Sequence, residues 1–133
     1  MLPSGHPVIA PVGELDLATV RALDDILTSA ARLSVHLTVD LSSVQFLDTS
    51  VLTVLLRAHR RASRRGGGLV LVGVAPLIRR LMAITGVDDE LAVHDSPDEA
   101  VVAWQTRAQL GDQRRARGTH RRSRRTVRRP AAL

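Results

Sequence analysis

The stretch Leu37–Leu56, LTVDLSSVQFLDTSVLTVLL, decides the reading of this 133-residue chain. Leu37, Val39 and Leu41 alternate with Thr38 and Asp40, the period of two that a strand imposes on its side chains. From about Ser50 the period changes. Val51, Leu55, Ala58 and Ala62 recur at i, i+4, i+7 and i+11, and Leu52, Val54 and Leu56 widen that apolar stripe. Arg57, Arg60, Arg61 and Arg64 mark the solvated side. A strand and then a helix are predicted, with Leu47-Asp48-Thr49-Ser50 at the junction. There the first helical turn leaves backbone N–H groups without partners. Asp, Thr and Ser are among the best N-cap residues, so one of Asp48, Thr49 and Ser50 serves as the cap.

Toward the N-terminus, Val8–Val12 reads as a strand that Pro11 confines to an edge or a bend. Gly13-Glu14-Leu15-Asp16 turns the chain. Asp16 then caps a first helix with Leu17, Val20, Leu23, Leu27, Ala30 and Ala31 at helical spacing. Toward the C-terminus, Gly66-Gly67-Gly68 ends the second helix, and the apolar run Leu69–Val74 reads as a strand covered on both faces. Pro76 suits the first turn of a third helix, with Leu77, Ile78, Leu81 and Met82 on its buried side and Gly86 as a left-handed cap. Leu91–Val93 is a short strand. Asp95 or Ser96 caps a last helix that starts at Pro97 and turns Ala100, Val101, Ala103 and Trp104 inward. Strand and helix alternate, which predicts an α/β fold.

Composition narrows the function. The length suits one domain, and its core must be aliphatic because Phe46 and Trp104 are the only aromatics. With no cysteine, disulfides and thiolate metal sites are excluded. No apolar run approaches a membrane span, and no basic segment followed by an apolar one opens the chain, so a cytoplasmic protein without membrane insertion is expected. Residues 1–111 hold ten Arg against twelve Asp or Glu, a net charge of −2. Residues 112–133 hold nine Arg against one Asp, a net charge of +8. That tail is expected to be disordered. Arg121, Arg122, Arg124 and Arg125 could touch an anionic polymer such as nucleic acid, but without aromatics any such contact would be non-specific and salt-sensitive. A solvated appendage is the simpler expectation.

Catalytic patterns are missing from the sequence. The chain has no Lys, so the glycine run is not a phosphate-binding P-loop. His6, His36, His59, His94 and His120 show no metal-ligand spacing, and no GxSxG elbow occurs. Asp88-Asp89-Glu90 does not match a calcium loop. Neither an enzymatic role nor a cofactor is expected.

Four segments together resemble the STAS family of anti-sigma factor antagonists. Phe46-Leu47-Asp48-Thr49-Ser50-Val51 is similar to its FLDSSG-type signature, and Gly13-Glu14-Leu15-Asp16 to its GELD turn. Gly67–Val72 and Pro76–Leu81 with Thr85-Gly86 follow in the family's order and spacing, from about Val8 to Trp104. The resemblance implies a STAS-like single domain over residues 7–110, with a mixed sheet of about four strands against about four helices. It implies one further strand before Val8, which this sequence lacks or shortens. It also implies a binding module that frees a sigma factor by holding an anti-sigma factor. That partner, a serine/threonine kinase, would phosphorylate the hydroxyl after the Asp, here Thr49 with Ser50 as the alternative, and a phosphatase would reverse the step. Asp16, Asp48, Thr49 and Ser50 would form the partner surface. Two positions depart from the pattern. Thr49 stands where Ser is usual, and Val51 stands where Gly is usual. A β-branched side chain at Val51 is expected to crowd an approaching kinase, which keeps open a scaffold that is not switched. A nucleic-acid-associated protein acting through the tail is the remaining alternative.

Overall fold

A computed structural model describes residues 6–106 of the chain. The expected domain end at 107–110, the basic tail and its Arg121, Arg122, Arg124 and Arg125 lie outside the described residues. The contacts of the chain divide it into two units, 1–101 and 102–133. In the first unit, β1 (Val8–Ile9), α1 (Val20–Ala31), β2 (His36–Asp40), α2 (Thr49–Arg64), β3 (Gly68–Val72), α3 (Pro76–Thr85) and β4 (Ala92–His94) follow in order, with a 3-10 turn at Val87–Asp89. A last helix, α4, begins at residue 97. The described part of the second unit, residues 102–106, is helical throughout.

The four strands form one sheet in the order β1-β2-β3-β4, and every neighbouring pair is parallel. Val8 lies opposite Thr38, Leu37 opposite Leu69, and Val70 opposite Ala92. The expectation of a mixed sheet is corrected accordingly for the described strands. Each strand is joined to the next by a helix, which returns the chain to the end it left, so the next strand enters in the same direction. Edge strand β1 is only two residues long, in keeping with Pro11 just beyond it.

Alternation within β2 and β3 builds the core. Leu37, Val39, Leu41, Leu69 and Leu71 join Leu23 and Leu27 of α1, Val51, Leu55 and Ala58 of α2, and Ile78 and Met82 of α3 in one buried cluster. All of β3 is buried, as its unbroken apolar run predicts. Burial of a Leu or Val side chain contributes on the order of 1.5–3 kcal/mol, so this cluster dominates the stability.

Helix ends follow local chemistry. Pro76 opens α3, and Gly86 closes it at φ 78°, the left-handed region. Ser96 caps α4, with its Oγ accepting from the Glu99 N–H at 3.3 Å, while the Glu99 carboxylate accepts from the Asp95 N–H at 3.0 Å. The start of α1 differs from expectation. Its N-cap is Thr19, and Leu17 is 71% exposed rather than packed inward. Asp16 acts one turn earlier. Its Oδ1 accepts from the N–H groups of Ala18 and Thr19, and its carbonyl accepts from the Val20 N–H, so a tight turn precedes the helix. Leu17 rides on that turn and points away from the core.

Arg60 of α2 makes a bidentate pair with Glu90, at 3.0 and 2.7 Å. The guanidinium hydrogen bond holds the Glu90 carboxyl below its usual range. Any stability from this exposed pair is present above the ordinary carboxylate pKa and fades as pH falls through the lowered one. No helix among the described residues is long and apolar enough to cross a membrane.

Two positions test this packing. A Cβ on Gly67 would lie 1.8 Å from the Val35 carbonyl oxygen, in backbone that cannot easily yield. Gly67→Ala is expected to lower stability by about 2 kcal/mol or more, read from urea denaturation. Thr38 is 0% exposed, and its hydroxyl has no hydrogen-bond partner among the described residues. Thr38→Val removes that buried polar group at nearly constant volume, and should raise stability by about 1 kcal/mol in the same assay.

Candidate functional site

Parallel strands place all their carboxyl ends together. The loops at residues 10–19, 41–48 and 73–75, which follow β1, β2 and β3, therefore emerge at one end of the sheet. Ligands and partners of open α/β sheets are generally met at this end.

Backbone hydrogen bonds hold two of these loops to each other. Leu15 and Leu47 form an isolated parallel bridge outside the named strands. The Leu15 N–H donates to the Phe46 carbonyl at 3.3 Å, and the Asp48 N–H donates to the Leu15 carbonyl at 2.9 Å. Gly13 N–H reaches the Ser43 carbonyl at 3.3 Å. Leu15 and Leu47 are themselves buried, at 5% and 1% exposure. The turn carrying Asp16 is thus pinned along the segment that leads to Asp48-Thr49-Ser50. Two sequence-predicted pieces far apart in the chain meet here. The carboxylate of Asp16 is engaged locally, accepting from Ala18 and Thr19 as described above.

Asp48 is the N-cap of α2. Its backbone is extended at φ −81° and ψ 153°, and its Oδ1 accepts from the Ser50 N–H at 3.1 Å. The Thr49 hydroxyl donates to the same oxygen at 3.3 Å. Thr49 is the first helical residue and is exposed. Ser50 is half-buried; its Oγ is shut off from solvent and has no hydrogen-bond partner among the described residues. Val51 is 0% exposed and belongs to the core cluster. The difference follows from helix geometry. Each residue turns the side chain by about 100°, so Thr49 shares the wet stripe with Thr53 and Arg57, while Val51 shares the core stripe with Leu55 and Ala58.

The structure corrects one expectation here. A side chain at Val51 was expected to crowd an approaching enzyme, but its methyl groups face into the core and present nothing at the surface. That ground for an unswitched scaffold is removed. Asp40 keeps a local role, with Oδ1 accepting from the N–H of Ser42 at 2.9 Å and from the Ser42 hydroxyl at the end of β2. His59 accepts from the Leu69 N–H at 3.0 Å, tying α2 to β3.

Sequence reasoning missed the apolar side chains around this end. Val12 is 81% exposed, Leu17 71%, Phe46 53% and Leu77 59%. Leu17 and Leu77 were expected inward. The available signal was an excess. Helix α3 carries Leu77, Leu81 and Ile84 in addition to Ile78 and Met82, which is more apolar side chain than one buried stripe can hold.

A model of the family described as Mlab, STAS domain matches residues 2–94. The chain belongs to the STAS domain family. Among curated relatives, the anti-sigma-B factor antagonist of Staphylococcus epidermidis is 29% identical over 87 residues, which span 65% of this chain and 81% of that protein. The anti-sigma-F factor antagonist RsfA of Mycobacterium tuberculosis is 29% identical over 99 residues, 72% of this chain and 77% of that one. The crystal structure of an anti-sigma factor antagonist from Mycobacterium paratuberculosis superposes with a TM-score of 0.70 at 27% identity, covering 79% of this chain and 90% of that one.

The cap can be tested while the Thr49 side chain itself is kept. Asp48→Ala should cost about 1 kcal/mol of stability, whereas Asp48→Asn, which keeps a side-chain acceptor, should stay within about 0.5 kcal/mol of the wild type in urea denaturation.

Proposed function

We propose that this chain is an anti-sigma factor antagonist. It catalyses nothing itself and works in the cytoplasm by docking an anti-sigma factor kinase through the loop end that carries Thr49. Phosphorylation of Thr49 by that partner ends the docking, and a phosphatase restores it. The domain responsible would run over residues 7–110, with 111–133 as a basic appendage. The observation that carries this reading is the division of labour at the start of α2, where the Thr49 hydroxyl is exposed and that of Ser50 is enclosed. Of these two hydroxyls, only that of Thr49 is open to an enzyme approaching from solvent. The names of the STAS relatives support the choice of partner.

The physical logic has two parts. A phosphate brings about −1.5 to −2 charges at pH 7. At a helix N-terminus those charges meet the positive end of the dipole, which offsets the repulsion from the Asp48 cap, so the fold tolerates the modification. Docking does not. A partner fitted to a neutral hydroxyl would have to bury a dianion, and Asp48 beside it adds repulsion. Asp16, Asp48, Thr49 and Ser50 contribute to that surface, with exposed Val12, Leu17 and Phe46 supplying apolar contact near them.

The test is phosphorylation by the partner captured from the native cell, with labelled ATP and mapping by mass spectrometry. Label on Thr49→Ala is expected to fall to background while Ser50→Ala keeps it. Thr49→Glu should weaken partner capture at least tenfold. Wild-type labelling of Thr49→Ala would remove Thr49 as the switch.

A further inference from the structure

Beside the junction lies a groove of about 180 Å³ between the loop at Phe46-Leu47 and the outer side of α3. Leu77, Leu81 and Ile84 line it at i, i+4 and i+7, and Arg80 stands among them. This is a second apolar stripe of α3, turned by about 100° from the buried pair Ile78 and Met82. Leu77, Ile84 and Phe46 are 59%, 76% and 53% exposed. Apolar side chains of this size, grouped on one face, can serve as an interaction site.

Charge decides what fits. No acidic side chain among the described residues lines the groove. Neighbouring Arg79 is paired with Asp95 at 3.6 Å, whereas Arg80 makes no ion pair among the described residues. The complement is therefore an apolar stripe flanked by carboxylates. The chain's own C-terminal residues 112–133 are the wrong sign, with nine Arg against one Asp. A two-fold contact with a second copy would bring the two Arg80 side chains into the same small interface, at a cost in like-charge repulsion.

Position links the groove to the switch. Leu47 lines it, and Thr49 follows two residues later, within roughly 8 Å along the backbone. We propose that the groove receives an acidic amphipathic helix of the same partner that docks over Thr49; the inference rests on the reading of Thr49 given above. Leu or Ile at i, i+4 and i+7 of that helix would pack on Phe46, Leu77, Leu81 and Ile84. A Glu or Asp between them would pair with the fork of the Arg80 guanidinium.

The experiment uses the full chain, labelled with ¹⁵N, and three probes. These are a helix-favouring peptide with a Leu stripe flanked by Glu, its counterpart with Lys in place of Glu, and sodium decanoate. The Glu peptide is expected to shift the amides of Phe46-Leu47 and Leu77–Ile84, and to bind at least tenfold more tightly than the Lys peptide. Arg80→Glu should invert that preference. Leu77→Ser combined with Ile84→Ser, both at exposed positions, should weaken the Glu peptide at least tenfold with unchanged circular dichroism. Equal binding of the two peptides, shifts confined elsewhere, occupation by decanoate but not by peptide, or self-association through the groove would each overturn the proposal. Phosphorylation of Thr49 without groove binding thus defeats this inference alone, and groove binding without phosphorylation defeats the reading of Thr49 alone.

Discussion

The backbone pairing of Leu15 with Leu47 is the constraint on which the functional end of this fold depends. Two loops that leave parallel strands have no intrinsic reason to run side by side. The bridge gives them one, because the Leu15 carbonyl takes the Asp48 N–H at 2.9 Å and both leucines are buried beneath it. The carbonyl of Leu15 and the amide of Asp48 satisfy each other in a place where water is partly excluded. As a consequence the chain enters α2 in one defined orientation. Asp48 takes up the extended cap conformation, and the helix begins at Thr49 and nowhere else.

From that starting point the rotation of the helix does the rest. Burial of Val51, Leu52 and Leu55 in the core sets the angular phase of α2. Once that phase is set, Thr49 has to face solvent and Ser50 has to face partly inward. Two adjacent aliphatic hydroxyls, one secondary and one primary, thus become one reachable group and one enclosed group. The hydrophobic core acts at a distance on the site through nothing more than helical geometry.

Electrostatics separates the surfaces further. The arginines along the outer side of α2 are partly engaged within the domain, Arg60 with Glu90, Arg61 with Asp24 at 3.6 Å, and Arg65 with the Ala31 carbonyl. Arg80 on α3 stands instead in an apolar setting beside the loop that leads to the junction. Surface ion pairs of the first kind add little to stability. A guanidinium flanked by exposed leucine and isoleucine offers both specificity and contact area to a partner.

The sequence by itself determined the α/β class, the order of elements, a polar cap among Asp48, Thr49 and Ser50, the proline and glycine that bound α3, and the family. These are local matters of periodicity and of the hydrogen bonds that short polar side chains make with their own backbone. It also placed Thr49 and Ser50 together at the mouth of a helix. Tertiary structure decided which of them is exposed, since that depends on the phase of α2 against β2 and β3. It decided that Val51 faces the core and cannot obstruct an approach. It brought Asp16 and Asp48 onto neighbouring stretches of chain, through a hydrogen bond between residues more than thirty positions apart. It left Leu17 outside because the Asp16 turn holds it ahead of α1, and Leu77 outside because Ile78 and Met82 fill the buried stripe of α3. Spacing along a chain tells which side chains can share a face; only packing against other elements tells which face is covered.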